Sequence, residues 1–415
     1  MEAYHISGGR PLRGSIAIHG AKNGVLPILA ATLAVGGRCT LTNCPEIRDV
    51  DTALQILRHL GCKAERSGDV IETDAAGANR YDIPASLMRK MRAAVIFLGA
   101  LLTRFGQAVI SLPGGCVLGA RPIDLHLSGL ERMGARVEQE DNRIACTLKD
   151  PLPCTITLAF PSVGATENLL LAALRCKDEI VLCNTAREPE IADLIGFLRA
   201  CGAEITENGS VLRVQGGRPL SGCTYRILPD RMEAATYLAA AAATRGELTL
   251  TDVCPEHLTA VTAMLRRAGC EISETKRTLH LRCEKLLAVG PIRTAPYDGF
   301  PTDAQAPMMA AMTVAEGVSV FEENIFEDRL RHVPALRRLG AQITATHAHA
   351  VVTGVDCLHG ARMEATDLRG GAAMVIGALC AEGESVLTEI GHIERGYADF
   401  VPLLQGCGAE IERRS

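Results

Sequence analysis

Apolar and polar positions along this chain follow one pattern that is written six times. A stretch with apolar residues at helical spacing ends on a glycine and runs into alternating, strand-like residues. Its copies are LQILRHLGCKAE, LSGLERMGARVE, LIGFLRACGAEI, VTAMLRRAGCEI, VPALRRLGAQIT and FVPLLQGCGAEI. The glycines are Gly61, Gly134, Gly202, Gly269, Gly340 and Gly408, spaced 73, 68, 67, 71 and 68 residues apart. Glycine at that point predicts a left-handed helix C-cap, and the alternation after it predicts a strand.

A second helix precedes each copy, in segments such as KNGVLPILAATLAVGG, GATENLLLAALRCKD and DRMEAATYLAAAAATRG. Apolar residues run almost all round these helices, which predicts burial. Each is followed by a short strand such as CTLTN or ELTLTD. One unit is therefore a βαβαββ motif of about 70 residues, repeated six times. The segment GGRPLRGSIAIHG at 8–20 returns as GGRPLSGCTYRILPD at 216–230, an offset of 208 residues or half the chain. The expected architecture is α/β, with two similar domains of three units each: residues 20–228, and residues 1–19 with 229–415. The N-terminal strands are expected to complete the sixth unit, although swapped pairing within one domain would look the same in sequence.

Composition narrows the function classes. The 415 residues carry a formal charge of −5 and no Trp, which argues against a general nucleic-acid or membrane-surface binder. The N-terminus lacks a charged region followed by an apolar run, and no apolar stretch is long enough to span a bilayer. Sixteen cysteines are present without a CxxC pair or zinc-like spacing. Most of them read as small buried hydrophobes in a reducing, cytoplasmic compartment. His347 and His349 share a strand face, but no carboxylate or Cys nearby completes a metal set.

The polar residues least explained by packing recur at the start of the buried helix. They are Lys22 and Asn23, then Arg92, then Ser162, Val163 and Gly164. Asp230, Arg231 and Glu233 follow, with Thr302 and Asp303, and finally Asp367 and Arg369. Helix N-termini offer free amides and the positive end of the dipole, suited to phosphate or carboxylate. Asp, Ser and Thr there are equally ordinary N-caps. Lys22 and Arg369 are not, because a cation opposes the dipole and calls for an anion beside it.

A further set lies after the next strand: REPEIAD at 187–193, ENIFEDR at 323–329 and HIERGY at 392–397. The remaining member is Ser111–His126, which reads SLPGGCVLGARPIDLH. Gly and Pro at that density predict an irregular loop, and Cys116 beside Arg121 on such a loop points to chemistry on an anion. Arg187 reads as a salt-bridged helix start. His126 reads equally well as a core or capping histidine and as a ligand.

These motifs together (HGAKNGVLPILAA, MRAA, LPGGCVLGARPIDLHL, PSVGATEN, AREPEI, LPDRMEA, FPTDAQ, ENIFEDR, DLR and HIERGY) resemble the UDP-N-acetylglucosamine enolpyruvyl transferase family from end to end. The resemblance implies an inside-out α/β barrel with its active site in the cleft between two three-fold domains. It implies no metal or organic cofactor, and phosphoenolpyruvate and UDP-N-acetylglucosamine as the small-molecule partners. The implied reaction is addition and elimination at the sugar 3′-hydroxyl, releasing phosphate, as the first committed step of peptidoglycan precursor synthesis.

On the matching positions, Asp303 is implied as the base and Cys116 as a general acid on a lid. Cys116 would also be the residue that forms a covalent adduct and is alkylated by fosfomycin. Lys22, Asn23, Arg121, Arg369 and Arg395 are implied around phosphoenolpyruvate. Arg92, Arg121, Pro122, Ile123, Asp124, Leu125, Phe160, Pro161, Ser162, Val163, Gly164, Asp303 and Ile325 are implied around the nucleotide sugar. Arg329 is expected as a partner across the closed cleft. Two rivals remain at this stage: enolpyruvyl transfer to shikimate 3-phosphate, and a non-catalytic UDP-sugar-binding paralogue.

Overall fold

A computed structural model describes residues 2–111, 123–140 and 142–414. Contacts divide these residues into two compact units, one of residues 2–19 and 229–414, the other of described residues within 20–228. No described helix is long and apolar enough to cross a membrane.

The six all-apolar segments form helices Lys22–Val35, Phe97–Phe105, Val163–Ala173, Arg231–Ala243, Thr302–Met312 and Leu368–Leu379, numbered here α1 to α6. Helix α2 is entered through a 3-10 turn, Arg92–Ile96. Helices α1, α2 and α3 pack on one another in one unit, and α4, α5 and α6 in the other. All thirteen residues of α4 are buried. Its alanines let neighbouring axes approach closely, since the side chains at the contact set the interaxial distance. Gly99 in α2 makes the same point, because a Cβ there would meet the Asn168 carbonyl of α3 at 2.3 Å. Prolines interrupt two of these helices at the same position, Pro27 in α1 and Pro307 in α5.

Among the described residues the strands form six four-stranded sheets and one two-stranded pair. Each large sheet has one parallel edge and two antiparallel pairings, as in Thr155–Thr157, Glu179–Cys183, Val211–Gln215 and Glu204–Asn208. Each unit thus keeps its helices inside and its sheets outside, the inside-out α/β arrangement that the family resemblance implies. The six marker glycines all take left-handed φ, between 91° and 101°.

The N-terminal strands divide their allegiance. Ala3–Ser7 lies between Glu384–Thr388 and Glu410–Arg414, completing the sixth sheet as expected. Arg13–Ala17 instead runs parallel to Glu247–Thr251, at the edge of the fourth sheet. Its counterpart in the half-chain repeat, Thr224–Arg226, runs parallel to Arg38–Thr42 and closes the first sheet. Both GGRPL segments therefore supply the strand that joins the last repeat of a unit to its first.

Candidate active site

Helix α1 begins with Lys22, and no side chain caps it. The Lys22 Nζ lies 2.8 Å from Asp49 Oδ2, and both side chains are largely buried. Asp49 is in the first turn of helix Arg48–His59, where a carboxylate suits the dipole. The anion that Lys22 calls for is thus supplied by the chain itself. Asn23, the next residue, is exposed.

Helix α5 begins with Thr302 and Asp303. The Thr302 hydroxyl donates to the Glu323 carboxylate, which also accepts the amides of Ile325 and Phe326 at 2.9 and 3.1 Å. One glutamate thereby fixes the turn carrying Ile325 against the start of α5. Asp303 Oδ1 accepts from Arg329 at 2.6 Å, and Oδ2 accepts from Nε and Nη2 of Arg369 at 3.2 and 3.1 Å. Both guanidinium groups are about 95% buried, while the Asp303 side chain is 27% exposed. Arg329, expected to reach across a cleft, is here spent on a carboxylate of its own unit.

Arg369 lies in the first turn of α6, whose N-cap Asp367 accepts the amides of Arg369 and Gly370 at 3.0 Å. Its guanidinium stands 5.2 Å over the Tyr397 ring. Arg395, two residues earlier, ends the short helix Gly391–Glu394. Asp230 caps α4 through the amides of Met232 and Glu233, and Arg231 stands 5.6 Å over the Tyr297 ring. Glu233 is buried and takes His19 through both carboxylate oxygens, from Nδ1 and the backbone amide at 2.9 Å each. At three helix starts, Asp230, Asp367 and Ser162, the ordinary N-cap explanation holds. The Ser162 hydroxyl accepts the Ala165 amide of α3 at 3.4 Å.

Phe160 is 40% exposed, and Pro161, Ser162, Val163 and Gly164 are half-buried. His126 proves to be a core residue, with its Nδ1 2.8 Å from Asn168 Nδ2. Burial pushes its pKa down to about 4, so it packs as a neutral ring. Asn168 also accepts the Gly99 amide and donates to the Val95 carbonyl, which makes it a hub between α2 and α3. Arg187 is exposed and enters no ion pair among the described residues, contrary to the salt-bridged start expected for it. The helix it precedes begins later, at Pro189, leaving Arg187 outside the turn.

Comparison with known proteins is consistent along the whole chain. The EPSP synthase (3-phosphoshikimate 1-carboxyvinyltransferase) family matches residues 6–404. UDP-N-acetylglucosamine 1-carboxyvinyltransferase of Nitratidesulfovibrio vulgaris (strain Miyazaki F) is 46% identical over 100% of this chain and 99% of its own. UDP-N-acetylglucosamine 1-carboxyvinyltransferase 2 of Caldanaerobacter subterraneus is 44% identical, with both chains covered in full. The chain belongs to the UDP-N-acetylglucosamine 1-carboxyvinyltransferase family. Two solved structures share its fold. The enolpyruvyl transferase NikO from Streptomyces tendae has a TM-score of 0.90 at 24% identity, covering 99% of this chain and 98% of that one. EPSP synthase from Acinetobacter baumannii has a TM-score of 0.74 at 18% identity, with both chains covered in full.

Within this 1-carboxyvinyltransferase chain, Cys116, Arg121 and Pro122 lie outside the described residues, as does the side chain of Arg92. Ile123 precedes helix Asp124–Arg132, with Asp124 exposed and Leu125 half-buried at its start. Sequence reasoning missed Asp49, and it placed Glu323 and Asp193 only within the ENIFEDR and REPEIAD runs, without their roles. Asp193 accepts from the Tyr225 hydroxyl at 2.9 Å, and burial pushes its pKa up to about 7. The one available signal for Asp49 was the unbalanced cation at Lys22.

Proposed function

We propose that this protein transfers the enolpyruvyl group of phosphoenolpyruvate to the 3′-hydroxyl of UDP-N-acetylglucosamine, releasing phosphate, in the synthesis of peptidoglycan precursors. The observation that carries the reading is Asp303, a carboxylate at a helix start whose two oxygens are held by two buried arginines. Such a group is oriented before substrate arrives and still partly open to it, as a general base must be. Asp303 takes the proton of the sugar hydroxyl as that oxygen bonds to C2 of phosphoenolpyruvate. Cys116 gives a proton to the methylene carbon, since an ordinary thiol with pKa about 8.5 is mostly protonated at neutral pH. Reversal of the proton transfer at that carbon then expels phosphate.

Lys22, Arg121, Arg369 and Arg395 are assigned to the phosphate and carboxylate of phosphoenolpyruvate, where bidentate guanidinium contacts serve best. Asn23 is assigned to the same substrate. Arg92, the 121–125 run, the 160–164 run and Ile325 are assigned to the nucleotide sugar. Relatives sharing 44–46% of their residues with this chain bear the name of this activity. Substrate-dependent phosphate release tests the reading. Phosphate should appear from phosphoenolpyruvate with UDP-N-acetylglucosamine and not with shikimate 3-phosphate. Release with shikimate 3-phosphate alone, or with neither, would overturn it.

A further inference from the structure

Three thiols from separate elements meet in the unit that holds α1. Cys39 lies in strand Arg38–Thr42, Cys201 follows the last turn of helix Pro189–Ala200, and Cys223 leads into strand Thr224–Arg226. The Cys201 and Cys223 sulfurs are 3.4 Å apart, and the Cys39 thiol is close enough to Cys201 to shift its titration. The backbone holds them there: the Cys223 carbonyl accepts the Thr40 amide, and the Cys201 carbonyl accepts the Ser221 amide, each at 2.9 Å. Cys39 and Cys201 are fully buried, whereas Cys223 is partly exposed. Packing alone does not ask for three sulfurs in a row with only the last one open to solvent.

We propose that Cys223, Cys201 and Cys39 form a reversible thiol-oxidation site, in which a small-molecule disulfide entering at Cys223 yields a Cys201–Cys223 disulfide. The co-reactant is a low-molecular-weight disulfide of the glutathione class. The Cys223 thiolate attacks one of its sulfurs, releasing one thiol and leaving a mixed disulfide on Cys223. Cys201 then attacks the Cys223 sulfur and expels the second thiol, while its proton passes to Cys39. Two protein thiols are oxidised and one external disulfide is reduced to two thiols. Contact with Cys201 lowers the Cys39 pKa to about 7, so part of Cys39 is thiolate at neutral pH and can take that proton. The contact with Cys39 raises the pKa of the Cys201 thiol, and burial raises that of Cys223, which makes both attacks slow.

A transient disulfide of this kind is compatible with a reducing compartment, where protein disulfides are redox-sensing rather than structural. It would staple the end of helix Pro189–Ala200 to the strand whose Tyr225 holds Asp193. That strand leads to Leu228, whose carbonyl accepts the Ala21 amide at 2.7 Å, one residue before Lys22. A second close thiol pair, Cys270 with Cys283, is an internal control, since both are buried and offer an oxidant no entry.

The test is peptide mapping by mass spectrometry after the full-length protein is incubated with oxidised glutathione and free thiols are alkylated. A Cys201–Cys223 cross-linked peptide should form in the wild type and disappear on reduction. In Cys201→Ser, glutathione should remain on Cys223 in near-stoichiometric amount. In Cys223→Ser, neither species should appear at these positions. Cys39→Ala should slow conversion of mixed disulfide to cross-link by on the order of tenfold. Persistence of glutathione on Cys223 in the wild type would overturn the proposal, as would cross-linking of Cys270 to Cys283 at an equal rate. If a variant fails to fold, the wild-type time course alone still decides between these outcomes.

Discussion

Asp303 Oδ2 accepts two hydrogen bonds from Arg369, through Nε and Nη2 at 3.2 and 3.1 Å, although the two residues are 66 positions apart. The pair ties the start of α5 to the start of α6. Removing the carboxylate leaves two buried guanidinium groups facing each other, and breaking such a buried pair costs about 3–5 kcal/mol. Asp303→Ala should therefore lower the unfolding midpoint as well as activity. Asp303→Asn, which keeps the shape and one acceptor, should fold better than Asp303→Ala yet lose roughly 10²–10⁴-fold in phosphate release. Thermal melts and initial rates on both variants check this.

Lys22 and Asp49 form the corresponding pair in the other unit. Asp49→Asn removes the charge that offsets a cation at a helix N-terminus, where the dipole already disfavours it. It should destabilise the protein more than Asp51→Asn, whose carboxylate meets Arg66 at an exposed position. Lys22→Met removes the partner of the largely buried Asp49 carboxylate and should also lower stability, and it should raise the KM for phosphoenolpyruvate more than that for the nucleotide sugar. Urea titrations and two-substrate kinetics separate the two effects.

His126 sets an acid limit on stability. Burial lowers its folded-state pKa to about 4, against about 6.5 in an unfolded chain. Between those values the unfolded chain binds the proton and the folded one does not. The stabilisation due to a neutral His126 is thus complete above about pH 6.5 and is lost as pH falls toward 4. His126→Asn should flatten the unfolding midpoint between pH 6.5 and 4.5, even though it costs some packing at pH 8. A midpoint as steep as that of the wild type would contradict this account.

Cys116 carries the remaining expectation. Incubation with fosfomycin should add one equivalent of mass, on the peptide containing Cys116, with loss of activity in step. Cys116→Ser should take up none. An unmodified Cys116 in the wild type would remove the basis for assigning it as the reactive acid.

The repeat was legible because its signals are local. A left-handed glycine after an amphipathic helix, as at Gly61 or Gly408, needs no knowledge of distant residues. The exchange of strand Arg13–Ala17 into the fourth sheet was not legible, because a parallel edge pairing leaves no mark in either strand. The same limit applied to the candidate site. Lys22 and Arg369 stood out as cations in the wrong place, but Asp49 looked like any residue of a helix first turn. His126 and Arg187 went the other way: one looked like a possible ligand and packs as core, the other looked paired and is exposed. Cys39, Cys201 and Cys223 read as three separate small hydrophobes, since nothing in their spacing shows that three elements meet.

Pro27 and Pro307 give the two units a shared feature at the backbone level. A proline ring nitrogen has no hydrogen to donate, so neither residue can bond the carbonyl four positions earlier. Those carbonyls belong to Asn23 and Asp303, both assigned to the substrates. Each helix thus lacks one bond of its own ladder in the turn after its first residues. A Pro→Ala exchange at either place supplies the missing donor and should strengthen the helix where the chemistry of both units begins, a gain readable as a higher unfolding midpoint.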